Sequence, residues 1–214
     1  MKTGGTVFIV DADREAREAV RSLASTMNLQ CETYASGRDF LSASDGKRRG
    51  CVILEVRIPG VNGLRILEHL NAIENDIPVL FLAEGATVSI AVRAMRAGAV
   101  HFLEKPLREH ELWDAIQEAI ELDHQRRKIQ HRRKRYQSKL ASLNPREKQV
   151  LAMIAQGESK KRIAQELRVC PRTVDVKRSH VMKKLGIGSL AELVQFAILA
   201  IDACGDDILS NAVG

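Results

Sequence analysis

The first 122 residues of this 214-residue chain alternate between apolar runs of strand length and amphipathic stretches of helix length. Five strands are predicted, at 6–10, 31–34, 51–55, 78–83 and 100–103. A helix is predicted after each strand, at 13–27, 37–43, 63–73, 88–97 and 108–122. Strands that alternate with helices favour a parallel sheet, and right-handed crossovers place helices on both of its faces. We therefore predict a doubly wound α/β domain over residues 1–122.

Charge divides the chain near residue 122. Residues 1–122 carry 14 Lys and Arg against 18 Asp and Glu, whereas residues 123–214 carry 19 against 9. No acid follows Asp123 within 123–141, where eight basic residues lie: Arg126, Arg127, Lys128, Arg132, Arg133, Lys134, Arg135 and Lys139. We predict a basic helical linker at 123–141, and a solvated surface, a DNA-backbone contact and a dimer contact all remain open for it. The basic second half indicates a polyanionic partner.

A second set of helices is predicted to begin at Asn144. The residues Asn-Pro-Arg-Glu supply an N-cap, a proline at the first helical position and a glutamate at the third. Helices are predicted at 145–156, 159–168, 171–185 and 189–202, with Gly157 and Gly186 where helices end. This pattern predicts an all-α domain of four helices at 142–205, followed by a C-terminal tail at 206–214.

Composition indicates a globular protein in a reducing cytoplasm. Hydrophobic residues make up 45% of the chain, and no stretch approaches the roughly 18 uncharged apolar residues of a membrane span. The start of the chain lacks the apolar core of a signal peptide. Four cysteines are scattered without ligand spacing, so we expect small buried residues rather than a metal or disulfide site: Cys31, Cys51, Cys170 and Cys204. Since His69, His101 and His110 stand apart from plausible nucleophiles, no enzyme is predicted.

Charged residues follow three of the predicted strands. Asp11 and Asp13 follow the first strand, Glu55 ends the third, and Lys105 follows the fifth. Because ligands of open α/β sheets bind at the carboxyl ends of the strands, we expect Glu55 to face a binding site.

The segments Val10-Asp-Ala-Asp, Cys51-Val-Ile-Leu-Glu-Val-Arg-Ile-Pro-Gly and Glu104-Lys-Pro resemble the receiver domains of bacterial response regulators. The resemblance implies a parallel five-stranded sheet of order 2-1-3-4-5, and a phospho-accepting aspartate where this chain has Glu55. It also implies a second metal-binding acid at Ala12 and a Ser or Thr at Ala83. Asp11 and Lys105 match the family, and Phe102 matches its aromatic switch position. The resemblance therefore implies one pocket that holds Asp11, Asp13, Glu55 and Lys105 beside Phe102. With three positions changed, the receiver is atypical and its Mg²⁺ site is expected to be lost, so no cofactor is predicted.

Several roles remain open for this receiver. Glu55 could act as a built-in surrogate for the phosphorylated state, with its carboxylate near Lys105. It could instead only neutralise Lys105, which would leave a passive dimerisation or spacer unit. Conventional phosphorylation by a histidine kinase, and binding of a partner or ligand through the vacated pocket, are the other two alternatives.

Residues 142–202 are similar to the LuxR-type helix-turn-helix domain of the NarL and FixJ regulators. The motifs are Leu143-Asn-Pro-Arg-Glu-Lys-Gln-Val-Leu, Ile163-Ala-Gln-Glu-Leu, and Pro171-Arg-Thr-Val-Asp-Val-Lys-Arg-Ser-His-Val-Met-Lys-Lys-Leu-Gly. The resemblance implies a transcriptional regulator that binds double-stranded DNA as a homodimer on paired half-sites. An apolar surplus on the fourth helix could supply the dimer contact.

The third helix of this domain has one apolar and one mixed polar stripe. Val174, Val181 and Leu185 should face the core. The opposite stripe, which could lie in the major groove, holds Arg172, Asp175, Val176, Ser179 and Lys183. Asp175 could accept from cytosine, Ser179 could bond either way, and Val176 could meet a thymine methyl. Phosphate contacts are predicted for Lys160, Lys161, Arg162, Thr173, Lys177 and Arg178.

Overall fold

The computed structural model describes residues 4–43 and 48–204 and divides the chain between Arg127 and Lys128 into two units. We call these the first unit and the second unit. The predicted tail at 206–214 lies outside the described residues.

The first unit contains a parallel five-stranded sheet. Its strands are β1 (Thr6–Val10), β2 (Gln30–Tyr34), β3 (Gly50–Glu55), β4 (Val79–Ala83) and β5 (His101–Glu104). Their order is β2-β1-β3-β4-β5, which confirms the predicted order. All residues of β3 and β4 are buried, as expected for strands covered on both faces.

Helices cover both faces of this sheet. They are α1 (Arg14–Thr26), α2 (Gly37–Ser42), α3 (Gly63–Ala72), α4 (Val88–Arg96) and α5 (Glu109–Ala141). Leu54 and Phe81 belong to the apolar cluster on one face, and Ile53 and Leu80 to the cluster on the other. The predicted doubly wound architecture is therefore confirmed.

Helix α5 takes part in both units. In the first unit, the buried Asp123 accepts a hydrogen bond from the Gly50 backbone N–H at 3.0 Å and two from Arg127 Nε at 2.8 and 2.9 Å. Arg127 also donates to the backbone oxygen of Arg48. In the second unit, Leu140 is buried in the core of that unit. Both ends of the predicted linker at 123–141 are thus packed against folded structure.

The second unit contains helices α6 (Pro145–Ala155), α7 (Lys160–Glu166), α8 (Pro171–Leu185) and α9 (Leu190–Cys204). The predicted capping box is present, with the Glu147 N–H donating to Asn144 Oδ1 and the Asn144 N–H donating to Glu147 Oε2, both at 2.9 Å. The core stripe Val174, Val181 and Leu185 is buried as predicted.

In the described ranges, no single helix is long and apolar enough to span a bilayer. Helices α8 and α9 pass a test of length and composition only when they are counted as one pair, and that pair is bent by 68°.

The cysteine prediction is wrong in part. Cys51 is buried, and burial raises the pKa of its thiol, but Cys31 is only half-buried and Cys170 is exposed. Cys170 is the N-cap of α8, one turn before the buried stripe begins at Val174, so the helix start holds it in solvent. The Cys204 side chain lies outside the described part.

Candidate functional site

Three charged side chains meet at the carboxyl edge of the sheet. The Lys105 ammonium nitrogen, Nζ, lies 2.7 Å from Asp11 Oδ2 and 2.7 Å from Glu55 Oε2. Both carboxylates are buried, and the Lys105 side chain is 18% exposed. These residues end or follow β1, β3 and β5, and the strand order brings them together. We call this group the acid–lysine triad.

The pKa of Lys105 is set mainly by burial and by the two neighbouring carboxylates. Burial alone would lower this pKa, but the hydrogen bonds and charges of Asp11 and Glu55 outweigh burial and raise it above the ordinary value of 10.5. Lys105 is therefore fully protonated near neutral pH and balances one of the two negative charges beside it.

The remaining carboxylate oxygens are held by the backbone. Asp11 Oδ1 accepts from the Asp13 N–H at 2.9 Å, and Glu55 Oε1 accepts from the Arg57 N–H at 3.2 Å. Each acid is thus fixed on one side by the lysine and on the other by the loop that follows it.

Asp13 and Ala12 do not complete a cation site in this arrangement. The Asp13 side chain is exposed and caps α1, accepting from the Glu15 N–H at 2.9 Å, because it occupies the N-cap position. Ala12 has no side-chain oxygen, and Asp11 Oδ2 and Glu55 Oε2 are both in contact with Lys105 Nζ. Ala12 therefore offers no side-chain ligand to the Mg²⁺ that the receiver resemblance implies, and one oxygen of each remaining carboxylate is already paired with Lys105. The described residues include no group of three His, Cys, Asp or Glu placed to hold a metal.

Ala83 and Phe102 belong to strands of the same sheet, but they are not part of the acid–lysine triad. Ala83 is buried at the end of β4, where its carbonyl accepts from the Lys105 N–H at 2.8 Å. The Phe102 ring packs 6.3 Å from the Phe81 ring, centroid to centroid. Of the five predicted pocket residues, the structure brings together Asp11, Glu55 and Lys105, and it places Asp13 and Phe102 outside that contact.

Arg57 is a pocket residue that the sequence analysis missed. Its guanidinium nitrogen Nη2 donates to the carbonyl oxygens of Glu84 at 2.9 Å and Gly85 at 3.2 Å. The loop after β3 therefore holds the loop after β4, directly beyond Ala83. The sequence shows that Arg57 follows Glu55 by two residues, but it gives no signal for the partners of Arg57 in the loop after β4.

The residues predicted to contact DNA lie on two neighbouring helices. Lys160, Lys161 and Arg162 form the exposed first turn of α7. All of the others lie on α8 and are exposed or half-buried, namely Arg172, Thr173, Asp175, Val176, Lys177, Arg178, Ser179 and Lys183. Val176 is 50% exposed while Val174 and Val181 are buried, so one valine is left facing outward. Such a surface offers both charge and apolar contact to a groove.

Asp175 joins α7 to α8 through its carboxylate. It forms an ion pair with Lys160 and a second one with Arg178, whose Nη2 lies 3.5 Å away. The hydrogen bond from Lys160 is the main reason that the pKa of Asp175 lies below its ordinary value. Two residues for which the sequence predicted separate DNA roles are therefore partners in this structure.

Glu147 is a second carboxylate whose tertiary role the sequence analysis missed. It is buried, and Lys184 Nζ lies 2.7 Å from its Oε2. Burial would raise the pKa of Glu147, but the hydrogen bonds from Lys184 and from the Asn144 backbone lower it. The ion pair between Glu147 and Lys184 links α6 to α8, the helix that carries most of the predicted DNA contacts.

Comparison with known proteins matches both units. A family model described as "Response regulator receiver domain" covers residues 7–117, and one described as "Bacterial regulatory proteins, luxR family" covers 141–197. Transcriptional regulatory protein FixJ of Bradyrhizobium diazoefficiens is 35% identical over 94% of this chain and 98% of that protein. Nodulation protein W of the same organism is 35% identical over 91% and 86%.

Two solved structures agree with this assignment. Response regulator StyR has a TM-score of 0.80 at 37% identity, covering 90% of this chain and 98% of that one. Full-length FixJ from B. japonicum has a TM-score of 0.57 at 35% identity, covering 92% and 97%. This chain therefore belongs to the FixJ/NarL-type response regulators, the DNA-binding transcriptional regulators in which a receiver domain precedes a LuxR-type helix-turn-helix domain.

Proposed function

We propose that this chain is a sequence-specific, cytoplasmic DNA-binding regulator whose receiver works without phosphorylation. One observation carries the proposal: Lys105 Nζ lies 2.7 Å from both Asp11 Oδ2 and Glu55 Oε2. The lysine that would bind the phosphoryl group is already paired with the residue at the acceptor position.

The chemistry of phosphoryl transfer supports this proposal. The transferred group carries charge on its oxygens, which a divalent cation must offset. Asp13 caps α1, Ala12 has no oxygen donor, and Ala83 has no hydroxyl for the product. We infer that the acid–lysine triad holds the receiver in one charge state and that no Mg²⁺ is required.

We expect the DNA affinity of the wild-type protein to be the same, within about twofold, before and after treatment with Mg²⁺ and a small phosphodonor. The reason is that Lys105 is already paired with two carboxylates. Fluorescence anisotropy on a labelled duplex of about four helical turns measures this. A rise in affinity that requires both Mg²⁺ and the donor would contradict the proposal.

The Glu55→Gln variant separates the two roles that the sequence left open for Glu55. Glutamine keeps the shape of the side chain and removes its charge. If Glu55 is a phosphorylation surrogate, this variant binds DNA more weakly and dimerises less than wild type. If Glu55 only neutralises Lys105, DNA binding and oligomeric state stay unchanged while the protein loses stability.

Conventional phosphorylation is the second candidate, and the presence of Asp11 and Lys105 at the edge of the sheet favours it. The solved relative StyR bears the name of a response regulator, a family whose receivers interact with kinases. Transfer of phosphate from a histidine kinase to Glu55 would establish this candidate.

We further propose that α8 lies in the major groove and that the protein binds as a homodimer. The exposed stripe of α8 supports the first part, with Arg172, Asp175, Val176 and Ser179 toward the bases. Leu190 and Ile198 on α9 are about half exposed, which supports a dimer contact on that helix. Two helices related by a two-fold axis would meet paired half-sites.

Lys160→Ala should weaken binding to all DNA sequences and flatten the salt dependence of log K by about one unit, because one phosphate contact is lost. The contact with Asp175 calls for a double variant. If Lys160 binds phosphate, Lys160→Ala/Asp175→Ala stays weaker than Asp175→Ala alone. If Lys160 only neutralises Asp175, the two variants bind equally, and Lys160 is not a DNA contact.

A further inference from the structure

We propose that α5 carries a second, sequence-independent contact to the DNA backbone, formed by Lys128, Arg132 and Arg135 in the second unit. This inference rests on the proposed DNA binding of α7 and α8. It adds a phosphate-binding surface at residues that lie between the two matched family models, which cover 7–117 and 141–197.

The three residues share one face of the helix. Their spacings of four and three residues place them in a single row, and Lys139 continues the row four residues later. We call these four residues the basic stripe. Lys128, Arg132 and Arg135 are exposed.

The C-terminal end of the stripe is fixed beside the helix that is proposed to contact bases. Lys139 Nζ donates to the Leu185 carbonyl at 2.7 Å, which satisfies an oxygen at the end of α8. Arg135 and Lys139 line a cleft of about 350 Å³ together with Gly186, which follows α8. Tyr136, in the same turn, packs edge-on against Phe196 with ring centroids 5.2 Å apart.

The basic stripe therefore runs along the axis of α5, away from the contact between Lys139 and the end of α8. At about 1.5 Å of rise per residue, Arg132 lies roughly 10 Å and Lys128 roughly 16 Å along the helix from Lys139. These distances are shorter than one helical turn of DNA, about 34 Å, so they suit phosphates that flank a half-site.

The composition of the helix favours an anionic partner. No acid occurs between Asp123 and Glu147, and the pairs Lys128–Arg132 and Arg135–Lys139 place like charges four residues apart, which destabilises a helix. Neutralisation by phosphates removes that repulsion and releases counterions from DNA. Duplex DNA carries about one negative charge per 1.7 Å of axis, so three cations over roughly 10 Å meet several phosphates.

A membrane surface fits the same helix less well. Binding at a lipid interface requires an apolar face opposite the cations. Between Lys128 and Arg135, Ile129 is the one aliphatic side chain in the sequence, and it is 67% exposed. One isoleucine does not make such a face.

The test compares two full-length variants that lose the same charge. Lys128→Gln/Arg132→Gln/Arg135→Gln removes the proposed contact, and glutamine preserves helix propensity. The matched control, Arg14→Gln/Arg38→Gln/Arg65→Gln, removes three exposed arginines from the first unit. Affinity for a labelled, non-operator duplex of about four helical turns is measured from about 50 to about 200 mM KCl.

The stripe variant should flatten the salt dependence of log K by about two to three units, and weaken binding about tenfold or more at the lower salt concentration. The control should flatten it by less than about one unit. Equal slopes for the two variants, with helical content retained by circular dichroism, would overturn the contact. If the wild type binds no duplex at all, the proposed DNA binding itself fails.

A parallel measurement uses vesicles of phosphatidylcholine and phosphatidylserine. The wild type should show no binding that depends on the stripe. Vesicle binding that the stripe variant loses, while its DNA binding equals that of the control, would replace DNA by a lipid surface and overturn the proposal.

Discussion

Lys105→Met should lower the free energy of unfolding by about 3 to 5 kcal/mol at neutral pH, because it leaves two buried carboxylates without their counterion. Methionine keeps most of the length of the side chain, so the loss reports charge rather than volume. Urea denaturation followed by circular dichroism measures the change.

A double variant tests whether this loss comes from the triad. Adding Glu55→Gln to Lys105→Met removes one of the two uncompensated charges and should recover a substantial part of the lost stability. The exposed Lys161→Met is the matched control and should change stability by less than about 0.5 kcal/mol. A loss of that small size for Lys105→Met, or no recovery in the double variant, would show that the triad charges are not coupled.

The contribution of Lys105 to stability depends on pH. Since the folded-state pKa of Lys105 lies above 10.5, its contribution to stability is fully present below that pH and is lost as pH rises through the folded-state pKa. The difference in stability between wild type and Lys105→Met should therefore be constant near neutral pH and should shrink above about pH 10.5.

The fold and the core of the pocket were accessible from the sequence for a physical reason. Parallel strands end at one edge of a sheet, which predicts a site beside Glu55 at the end of β3. The strand order and the grouping of Asp11, Glu55 and Lys105 came from the resemblance to receiver domains. The buried stripe of α8 was accessible in the same way, because its spacing fixes one face of a helix.

Side-chain partners across the fold were not accessible. The Arg57 guanidinium reaches the carbonyls of Glu84 and Gly85, more than 25 residues away, and no local pattern encodes that reach. Lys160 and Asp175 were assigned separate roles, since nothing in the sequence shows that their charges meet between α7 and α8. Asp123 looked like the start of a linker, but its carboxylate is buried against the Gly50 N–H.

Restoring the three changed pocket residues should have a large effect on phosphorylation of the receiver. The variant Ala12→Asp/Glu55→Asp/Ala83→Thr regains a second acid, the shorter acceptor and a hydroxyl at the end of β4. Shortening Glu55 also withdraws its carboxylate from Lys105, which frees the ammonium to bind a phosphoryl oxygen. When Mg²⁺ and a small phosphodonor are supplied, we expect a large fraction of this variant to be phosphorylated, whereas the wild type shows no detectable phosphorylation.

Intact mass after that incubation tests the central claim, that the receiver works without phosphate. The wild type should keep its mass, and the restored variant should gain one phosphoryl group that hydroxylamine removes, as it does from acyl phosphates. A hydroxylamine-labile phosphoryl group on the wild type, absent from Glu55→Ala, would contradict the claim and identify Glu55 as a working phospho-acceptor.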